Sequence, residues 1–168
     1  RITNRYESGV LTGKSPHWGG ALARREATGY GTVFFVDEML RVIGTTLEGR
    51  TCVVSGSGNV AIYAIEKLQE FGAKVVACSD SSGIVHDPQG IDLQIVRRLK
   101  EVERRRIGDY VAERSDSMYV PGGNLWAIPC EVALPCATQN ELDEMSARTL
   151  VRNGCIAVAE GANMPSTP

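Results

Sequence analysis

The sequence predicts an α/β fold in which a doubly wound, mostly parallel sheet carries helices on both faces. An apolar run at 51–55 leads through a glycine-rich turn into an amphipathic helix, and a second apolar run follows at 74–79. Further along, short apolar runs at 131–135 and 156–159 enclose a helical pattern at 143–153. Strands that alternate with helices are typical of parallel sheets, because each parallel pair needs a crossover connection.

The composition is that of an ordinary globular domain. The chain has 168 residues, of which 43% are hydrophobic and 23% are charged, and this suits one domain with its own core. The formal net charge of −2 gives no general attraction to nucleic acids or acidic membranes. No apolar run approaches the length of a membrane span, and the first residues lack a signal-peptide pattern. We therefore expect neither a nucleic acid nor a membrane as a partner.

The cysteines predict a reducing, cytoplasmic environment. They are five in number, lack C-x-x-C spacing and lie mostly inside apolar runs, at Cys52, Cys78, Cys130, Cys136 and Cys155. An odd number of scattered, apolar-flanked cysteines is typical of reduced core thiols. The two histidines, His17 and His86, are far apart in sequence, so we expect no metal site.

The chain begins with a predicted connector and a predicted helix. Residues 1–20 are rich in Gly, Ser, Thr and Pro, whereas apolar residues recur near helical spacing from 21 to 43. Gly44 is a natural helix stop. Gly29 and Gly31 inside this helix indicate the close approach of another backbone or of a ligand, or else a kink, and periodicity leaves these alternatives open.

The glycine turn after the first apolar run predicts the binding of a dinucleotide. Gly56 permits a tight bend, Gly58 lets the backbone approach a pyrophosphate, and the small Ala61 lets helix and strand pack closely. The helix that follows, ending near Phe71, presents free N–H groups and a positive dipole end to the phosphates. Asp80 closes the second strand about 20 residues further on, as the Rossmann fingerprint requires.

The remainder of the chain predicts two more helices and two polar loops. Residues 81–90 are turn-rich, and residues 92–112 form a charged helical pattern with Ile95, Leu99 and Val102 as its apolar stripe. Most arginines of this helix are expected on a solvated face, although one cation near the end of the second strand could meet a phosphate. Polar loops at 138–141 and 160–163 follow the last two strands, where open α/β sheets bind ligands.

Five motifs, in order along the chain, closely resemble glutamate dehydrogenases of the hexameric branch found in bacteria, fungi and some protists. They are Ala27-Thr28-Gly29-Tyr30-Gly31, Gly56-Ser57-Gly58-Asn59-Val60-Ala61, Ser79-Asp80-Ser81-Ser82-Gly83, Leu134-Pro135-Cys136-Ala137-Thr138-Gln139-Asn140-Glu141 and Glu160-Gly161-Ala162-Asn163-Met164-Pro165. The resemblance covers nearly the whole chain. It implies that residues 21–168 are the coenzyme-binding domain, a modified Rossmann sheet with one strand reversed. Residues 1–20 would then connect it to a substrate domain absent from this sequence, which we expect to be a fragment.

The family interconverts L-glutamate and 2-oxoglutarate plus ammonia by hydride transfer with a nicotinamide cofactor. The resemblance implies that Thr28 holds the nicotinamide carboxamide, that Asn59 lies at the pyrophosphate turn, and that Asn140 and Asn163 lie beside the nicotinamide and its ribose. Arg24 lies one helical turn before Thr28. The complete set of expected cofactor-binding residues is Arg24, Thr28, Gly56, Ser57, Gly58, Asn59, Val60, Asp80, Ser81, Lys100, Ala137, Thr138, Asn140 and Asn163.

No catalytic residue is expected in this chain. The family's substrate domain supplies a catalytic lysine in a glycine-rich stretch, further lysines for the substrate carboxylates, and an aspartate for proton transfer. The four lysines here, Lys14, Lys67, Lys74 and Lys100, lie outside that context, and Gly19-Gly20 is followed by Ala21. We therefore expect the 168 residues to bind cofactor without turning over glutamate, and to be part of a homo-hexamer when full length.

Two observations conflict over the nicotinamide cofactor. An acid at the end of the second strand normally binds the ribose 2′-OH, so Asp80 favours NAD. Ser81 and Ser82 leave room, and Lys100 supplies a cation for a 2′-phosphate. The Gly-Ser-Gly and Ser-Asp-Ser-Ser-Gly combination is similar to that of NADP-linked glutamate dehydrogenases. The sequence therefore favours NADP, with NAD as the alternative.

Two other functions compete with this interpretation. Leucine, valine and phenylalanine dehydrogenases share the architecture, although the residues of the motifs at 138–141 and 160–165 favour glutamate dehydrogenase. A stand-alone nucleotide-sensing module is the alternative from a different class.

Overall fold

A computed structural model describes residue 9, residues 14–21 and residues 24–168, apart from the side chain at position 24. Most of the predicted connector at 1–20 therefore lies outside the described residues. Among the described residues, six strands form one sheet: β1 (Thr51–Val54), β2 (Lys74–Asp80), β3 (Gly83–His86), β4 (Met118–Pro121), β5 (Val132–Leu134) and β6 (Ala157–Val158). Four α-helices of the same part of the chain accompany it: α1 (Arg24–Val42), α2 (Asn59–Glu70), α3 (Leu93–Arg97) and α4 (Glu144–Arg152).

The strand order β4-β3-β2-β1-β5-β6 confirms a mostly parallel sheet. The strand pairs β1–β2, β1–β5 and β5–β6 are parallel, whereas β3 is antiparallel to both β2 and β4. Of the six described strands, β3 alone therefore runs against the others. The single reversed strand implied by the family resemblance is thus present.

Helices cover both faces of the sheet because strand residues alternate between two apolar clusters. Val54 on β1 belongs to a cluster that includes α1 and α2 residues such as Val36 and Ile65. Its neighbour Val53 belongs to the opposite cluster, which includes Leu150 of α4. Within the described part of the chain, no helix is long and apolar enough to cross a membrane.

The glycines of α1 differ in what surrounds them. A Cβ on Gly29 would lie 2.6 Å from the carbonyl oxygen of Val60 and 2.7 Å from the amide nitrogen of Ala64, so the backbone of α2 lies directly against it. Gly31 has nothing described within 4 Å of its Cβ position. The close approach at Gly29 is therefore made by protein and sets the distance between α1 and α2.

The prediction of a turn-rich stretch over residues 81–90 was wrong in its middle. Asp80 pairs with Gly83, so only Ser81 and Ser82 turn the chain from β2 into β3. A two-residue turn needs no long run of turn residues, and the apolar Ile84 and Val85 then continue the sheet. Strand β4, which pairs with β3, was not predicted either.

The predicted helix over residues 92–112 is interrupted. Helix α3 continues as a π-helical turn to Val102, the backbone reverses at Arg104 with φ of 54°, and a 3₁₀ helix spans Ile107–Ala112. Val102 is 76% exposed, so it does not belong to the apolar stripe predicted for it. Hydrogen bonds to Asp80 from Lys100 and from the N–H of Ile107 bring this segment to the end of β2, and they compete with a continuous helix.

Candidate functional site

The glycine turn lies where β1 ends, beside the ends of β2 and β5. Gly56 has φ of 87°, a conformation that glycine adopts without a Cβ penalty. A Cβ there would also lie 3.2 Å from the Cβ of Ala137. The Oγ of Ser79 accepts a hydrogen bond from the Gly56 N–H at 2.9 Å, which ties the turn to β2.

Gly58 requires a different explanation. Its φ of −89° and ψ of −169° suit any residue, and nothing described lies within 4 Å of its Cβ position. No described side chain caps α2 at this residue. Neither backbone conformation nor packing therefore requires glycine here, and the open space at the N-terminus of α2 suits an anion.

Two cavities flank this turn. One, of about 460 Å³, is lined by residues at the end of β2, including Asp80 and Ser81, and by Trp126. The other, of about 550 Å³, is lined by Val60, Ala137, Thr138, Gly161 and Asn163, among others. Both volumes lie within the roughly 300–1,000 Å³ typical of small-molecule sites. A ligand with two halves joined by phosphates would fit this arrangement.

The carboxylate of Asp80 is fully engaged by the protein. Its Oδ1 accepts from the N–H of Ser82 at 2.8 Å and from the Ser82 hydroxyl, and its Oδ2 accepts from Lys100 Nζ and the Ile107 N–H, both at 2.9 Å. Burial alone would raise the pKa of the Asp80 carboxyl, but these hydrogen bonds outweigh it and hold that pKa well below its usual range. Asp80 is therefore ionised, and its negative charge is balanced by the groups that donate hydrogen bonds to it.

The two cations near this turn have different environments. Lys100 donates both to Asp80 and to the carbonyl oxygen of Arg105, at 3.0 Å, and its side chain is only 20% exposed. Arg106 is exposed and donates to the Ser81 hydroxyl at 2.7 Å. The sequence predicts a phosphate-binding role for Lys100, whereas Arg106 belongs to the arginines expected on the solvated face. Only the interruption of the predicted helix brings Arg106 to Ser81, so helical periodicity could not have found it.

Another cation, Arg25, was also missed. It donates to Asn59 Oδ1 at 3.4 Å and to Glu101 at 2.9 Å, which places a guanidinium beside the N-terminus of α2. Its neighbour Arg24 begins α1, but the Arg24 side chain lies outside the described residues. Ser57 is buried within the turn.

Two loops close the other cavity. Glu141 Oε1 accepts from the N–H groups of Ala137 and Thr138 at 3.0 and 3.2 Å, and the N–H of Asn140 donates to the Met164 carbonyl at 3.0 Å. Asn140 is exposed, has φ of 54° and adjoins the cavity without lining it, whereas Asn163 lines it.

Helix α1 approaches the same cavity. The Oγ1 of Thr32 lies 3.3 Å from the Cβ position of the cavity residue Gly161, and Thr28 precedes Thr32 by one turn on the same helix face. Thr32 donates its hydroxyl proton to the Thr28 carbonyl at 2.8 Å. Within the described residues, no group of three His, Cys, Asp or Glu side chains is placed to hold a metal ion.

Comparisons with known proteins agree with this geometry. The model of the glutamate/leucine/phenylalanine/valine dehydrogenase family matches residues 19–168. NADP-specific glutamate dehydrogenase of Helicobacter pylori is 53% identical over 174 aligned residues, which cover 99% of this chain and 39% of that relative. The NADP-specific glutamate dehydrogenase of Salmonella typhimurium is also 53% identical, over 99% of this chain and 38% of that relative.

A solved structure extends the agreement to three dimensions. The crystal structure of Plasmodium falciparum glutamate dehydrogenase superimposes with a TM-score of 0.87 at 48% identity, covering 99% of this chain and 36% of that one. This chain thus spans less than two fifths of the length of these relatives. On the family match and on these identities, the chain belongs to the glutamate/leucine/phenylalanine/valine dehydrogenase family.

Proposed function

We propose that this chain is the coenzyme-binding part of a glutamate dehydrogenase, which interconverts L-glutamate and 2-oxoglutarate plus ammonia. The relatives described above carry that name, and none of them is a leucine, valine or phenylalanine dehydrogenase. The observation that supports the proposal most is the uncapped N-terminus of α2 at Gly58, open to space between two cavities.

The residues of this chain fit a nicotinamide dinucleotide. The N–H groups of Asn59 and Val60 would hold the pyrophosphate, because they begin a 12-residue helix whose dipole favours anions. Thr28, Thr138, Asn140 and Asn163 would orient the nicotinamide half. When bound, the nicotinamide ring supplies or accepts the hydride.

NADP fits the other half better than NAD does. A free carboxylate at the end of β2 would repel a 2′-phosphate, but Asp80 already accepts four hydrogen bonds, one of them from a lysine. Arg106 on Ser81 adds an exposed guanidinium beside it. A charge-assisted hydrogen bond contributes about 1.5–3 kcal/mol. We therefore propose a 2′-phosphate site formed by Ser81 and Arg106, with Lys100 neutralising Asp80.

Substrate placement and proton transfer are proposed to belong to other parts of the full-length protein. The chain spans 36–39% of its relatives, and its lysines lie outside the family's catalytic context. We expect the isolated chain to bind nucleotide without catalysing the reaction.

Calorimetric titration of the chain with NADP and NAD, at matched ionic strength, tests the coenzyme assignment. We expect both to bind and NADP to bind more tightly; absence of binding for both would contradict the proposed role. The full-length protein, assayed with L-glutamate, L-leucine, L-valine and L-phenylalanine, tests the substrate. A preference for any of the last three would replace glutamate dehydrogenase by another member of the family.

We further propose a homo-hexamer in the cytoplasm. A solved structure described as hetero-hexameric glutamate dehydrogenase from Thermus thermophilus is 26% identical to this chain, with a TM-score of 0.76. The five scattered cysteines, which lack C-x-x-C spacing, are typical of proteins from a reducing compartment. Light scattering of the full-length protein tests the assembly, and cell fractionation tests the location.

A further inference from the structure

Two thiols meet at the end of the sheet away from the candidate nucleotide site. Val132 on β5 and Ala157 on β6 are aligned across a parallel pair, and Cys130 and Cys155 each lie two residues earlier. The two cysteines thus precede the paired strands by the same number of residues, and both pack in the apolar cluster that includes Val53 and Leu150. The N–H of Ile156 donates to the Glu131 carbonyl at 2.8 Å, which holds the two segments together just before the strands. The regular pairing ends there, because the N–H groups of Glu131 and Cys155 donate to the carbonyls of Thr51 and Leu150.

Two adjacent strands bring segments of the chain to a separation that a disulfide can span. Neighbouring strands lie roughly 4.8 Å apart, and disulfides join Cα atoms about 4.4–6.8 Å apart. The Cys130 and Cys155 thiols lie close enough for each to shift the pKa of the other, while the Cys155 thiol donates to the Ala157 carbonyl at 3.2 Å. The two sulfurs are therefore adjacent in the reduced protein.

The two thiols differ in access and acidity. Cys130 is 3% exposed, whereas Cys155 is half-buried and lines an apolar cavity of about 260 Å³ between α4 and β6. The interaction between the two thiols lowers the pKa of Cys155 and raises the pKa of Cys130. Cys155 is thus the sulfur suited to attack and Cys130 the one suited to resolve.

The other three cysteines differ from this pair in the acidity of their thiols. Burial raises the pKa of Cys52, Cys78 and Cys136 to about 12 in each case. All three are buried in the larger apolar cluster. They behave as core residues and are not expected to react in the folded protein.

We propose that Cys130 and Cys155 form a modification site that small-molecule disulfides oxidise reversibly to an intramolecular disulfide. The Cys155 thiolate attacks one sulfur of the reagent, whose S–S bond breaks and releases one thiolate. Cys130 then loses its proton to solvent and attacks the Cys155 sulfur of this mixed disulfide, which releases the second thiolate. Two protein thiols are oxidised, and one small disulfide is reduced to two thiols.

The cross-link would secure an exposed edge of the sheet. Strand β6 comprises two residues and, in the described sheet, is bonded on one side only, to β5. A disulfide closing the loop from 130 to 155 restrains the unfolded chain and so stabilises the folded one. The cross-link lies before β5 and β6, whereas the candidate nucleotide site follows the opposite ends of the strands.

The test uses the full-length protein, incubated under native conditions with oxidised glutathione as the probe. Peptide mapping by mass spectrometry is expected to find one intramolecular link, between Cys130 and Cys155, with loss of two hydrogens. Dithiothreitol should reverse the link, and the oxidised protein should melt at a higher temperature. A link that excludes either residue, or unmodified Cys155, would overturn the proposal without affecting the proposed coenzyme role.

Three variants resolve the order of events. Cys130→Ser should retain a glutathione adduct on Cys155, Cys155→Ser should form neither adduct nor link, and the control Cys52→Ser should form the link normally. A stable adduct on Cys130 in the Cys155→Ser variant would contradict the assignment of the attacking sulfur. The wild-type map does not depend on any variant folding, so it decides whether the pair forms.

Discussion

The ammonium group of Lys100 lies 2.9 Å from the carboxylate of Asp80, across the end of β2. The acid that would normally meet a ribose hydroxyl is instead part of the protein's own hydrogen-bond network. Lys100 comes from the π-helical turn after α3, so the same contact attaches that segment to the sheet. This ion pair between Lys100 and Asp80 therefore affects both the stability of the fold and the preference between NAD and NADP.

Replacing Arg106 should weaken NADP binding selectively. Arg106→Gln removes an exposed guanidinium beside Ser81, and we expect affinity for NADP to fall about tenfold, with NAD unchanged. Calorimetric titration measures both. The control Arg105→Gln removes a neighbouring guanidinium that pairs with Glu103 and Asp109. Equal losses in the two variants would indicate a general charge effect in place of a specific contact.

Gly58→Ala should separate binding from folding. Nothing described surrounds its Cβ position, so the free energy of unfolding should change little. The added methyl group would occupy the space proposed for the pyrophosphate, and a steric cost of about 1–3 kcal/mol would lower affinity about 5-fold to 150-fold. Because NAD and NADP share the pyrophosphate, both should be affected alike. Normal affinity in this variant would place the phosphates elsewhere.

The two glycines of α1 should respond oppositely to alanine. Gly29→Ala places a methyl group against the backbone of α2 and should destabilise the fold by about 1–3 kcal/mol. Gly31→Ala lies in open space on the same helix and should stabilise it by about 1 kcal/mol through helix propensity. Urea unfolding of the two variants measures the difference. Similar effects in both would argue against the close contact between α1 and α2.

A buried carboxylate should make stability depend on pH in the acid range. Asp87 is fully buried and accepts from Arg114 at 2.8 Å and from Tyr110 at 2.9 Å. Burial would raise the pKa of Asp87, but hydrogen bonds from Arg114, Tyr110 and the Gln89 N–H outweigh it and lower that pKa. The resulting stability is present above the unfolded-state pKa of about 4 and is lost as the pH falls through the lower folded-state pKa.

Asp87→Asn tests this dependence. The variant should lose about 3 kcal/mol at pH 7, because the Arg114 guanidinium loses its buried partner. Its unfolding free energy should then fall less steeply than that of the wild type below about pH 4. Guanidinium chloride unfolding at several pH values measures both effects, with the exposed Asp116→Asn as the control. An unchanged acid slope would assign the pH dependence to other carboxylates, such as Asp80.

The sequence predicted those elements whose formation is governed by local patterns. Helix α2 begins at the glycine turn and has its C-cap at Phe71, as predicted, and Asp143 caps α4 within the predicted helix boundaries. The errors lie between 81 and 121, where distant contacts dominate. The antiparallel pairing of β4 with β3 and the hydrogen bonds to Asp80 from Lys100 and Ile107 join residues far apart in sequence, which helical periodicity does not report.

Some features of the candidate site could likewise be predicted from local sequence patterns, and others could not. The glycine turn and its open space follow from local spacing, whereas the position of Arg106 depends on how the chain after α3 returns to β2. The hydrogen bonds from Arg25 to Asn59 and to Glu101 likewise join three separate segments of the chain. These placements required the tertiary structure.

The two-residue turn between Asp80 and Gly83 limits how coenzyme preference could be re-engineered. Ile84 and Val85 face opposite apolar clusters, and one inserted residue that shifted β3 by a single position would exchange their faces. Loop grafting from proteins with longer connections would thus compromise the core before it altered selectivity. Protein engineers would have to change the chemistry of positions 81 and 106 while keeping the length of this turn.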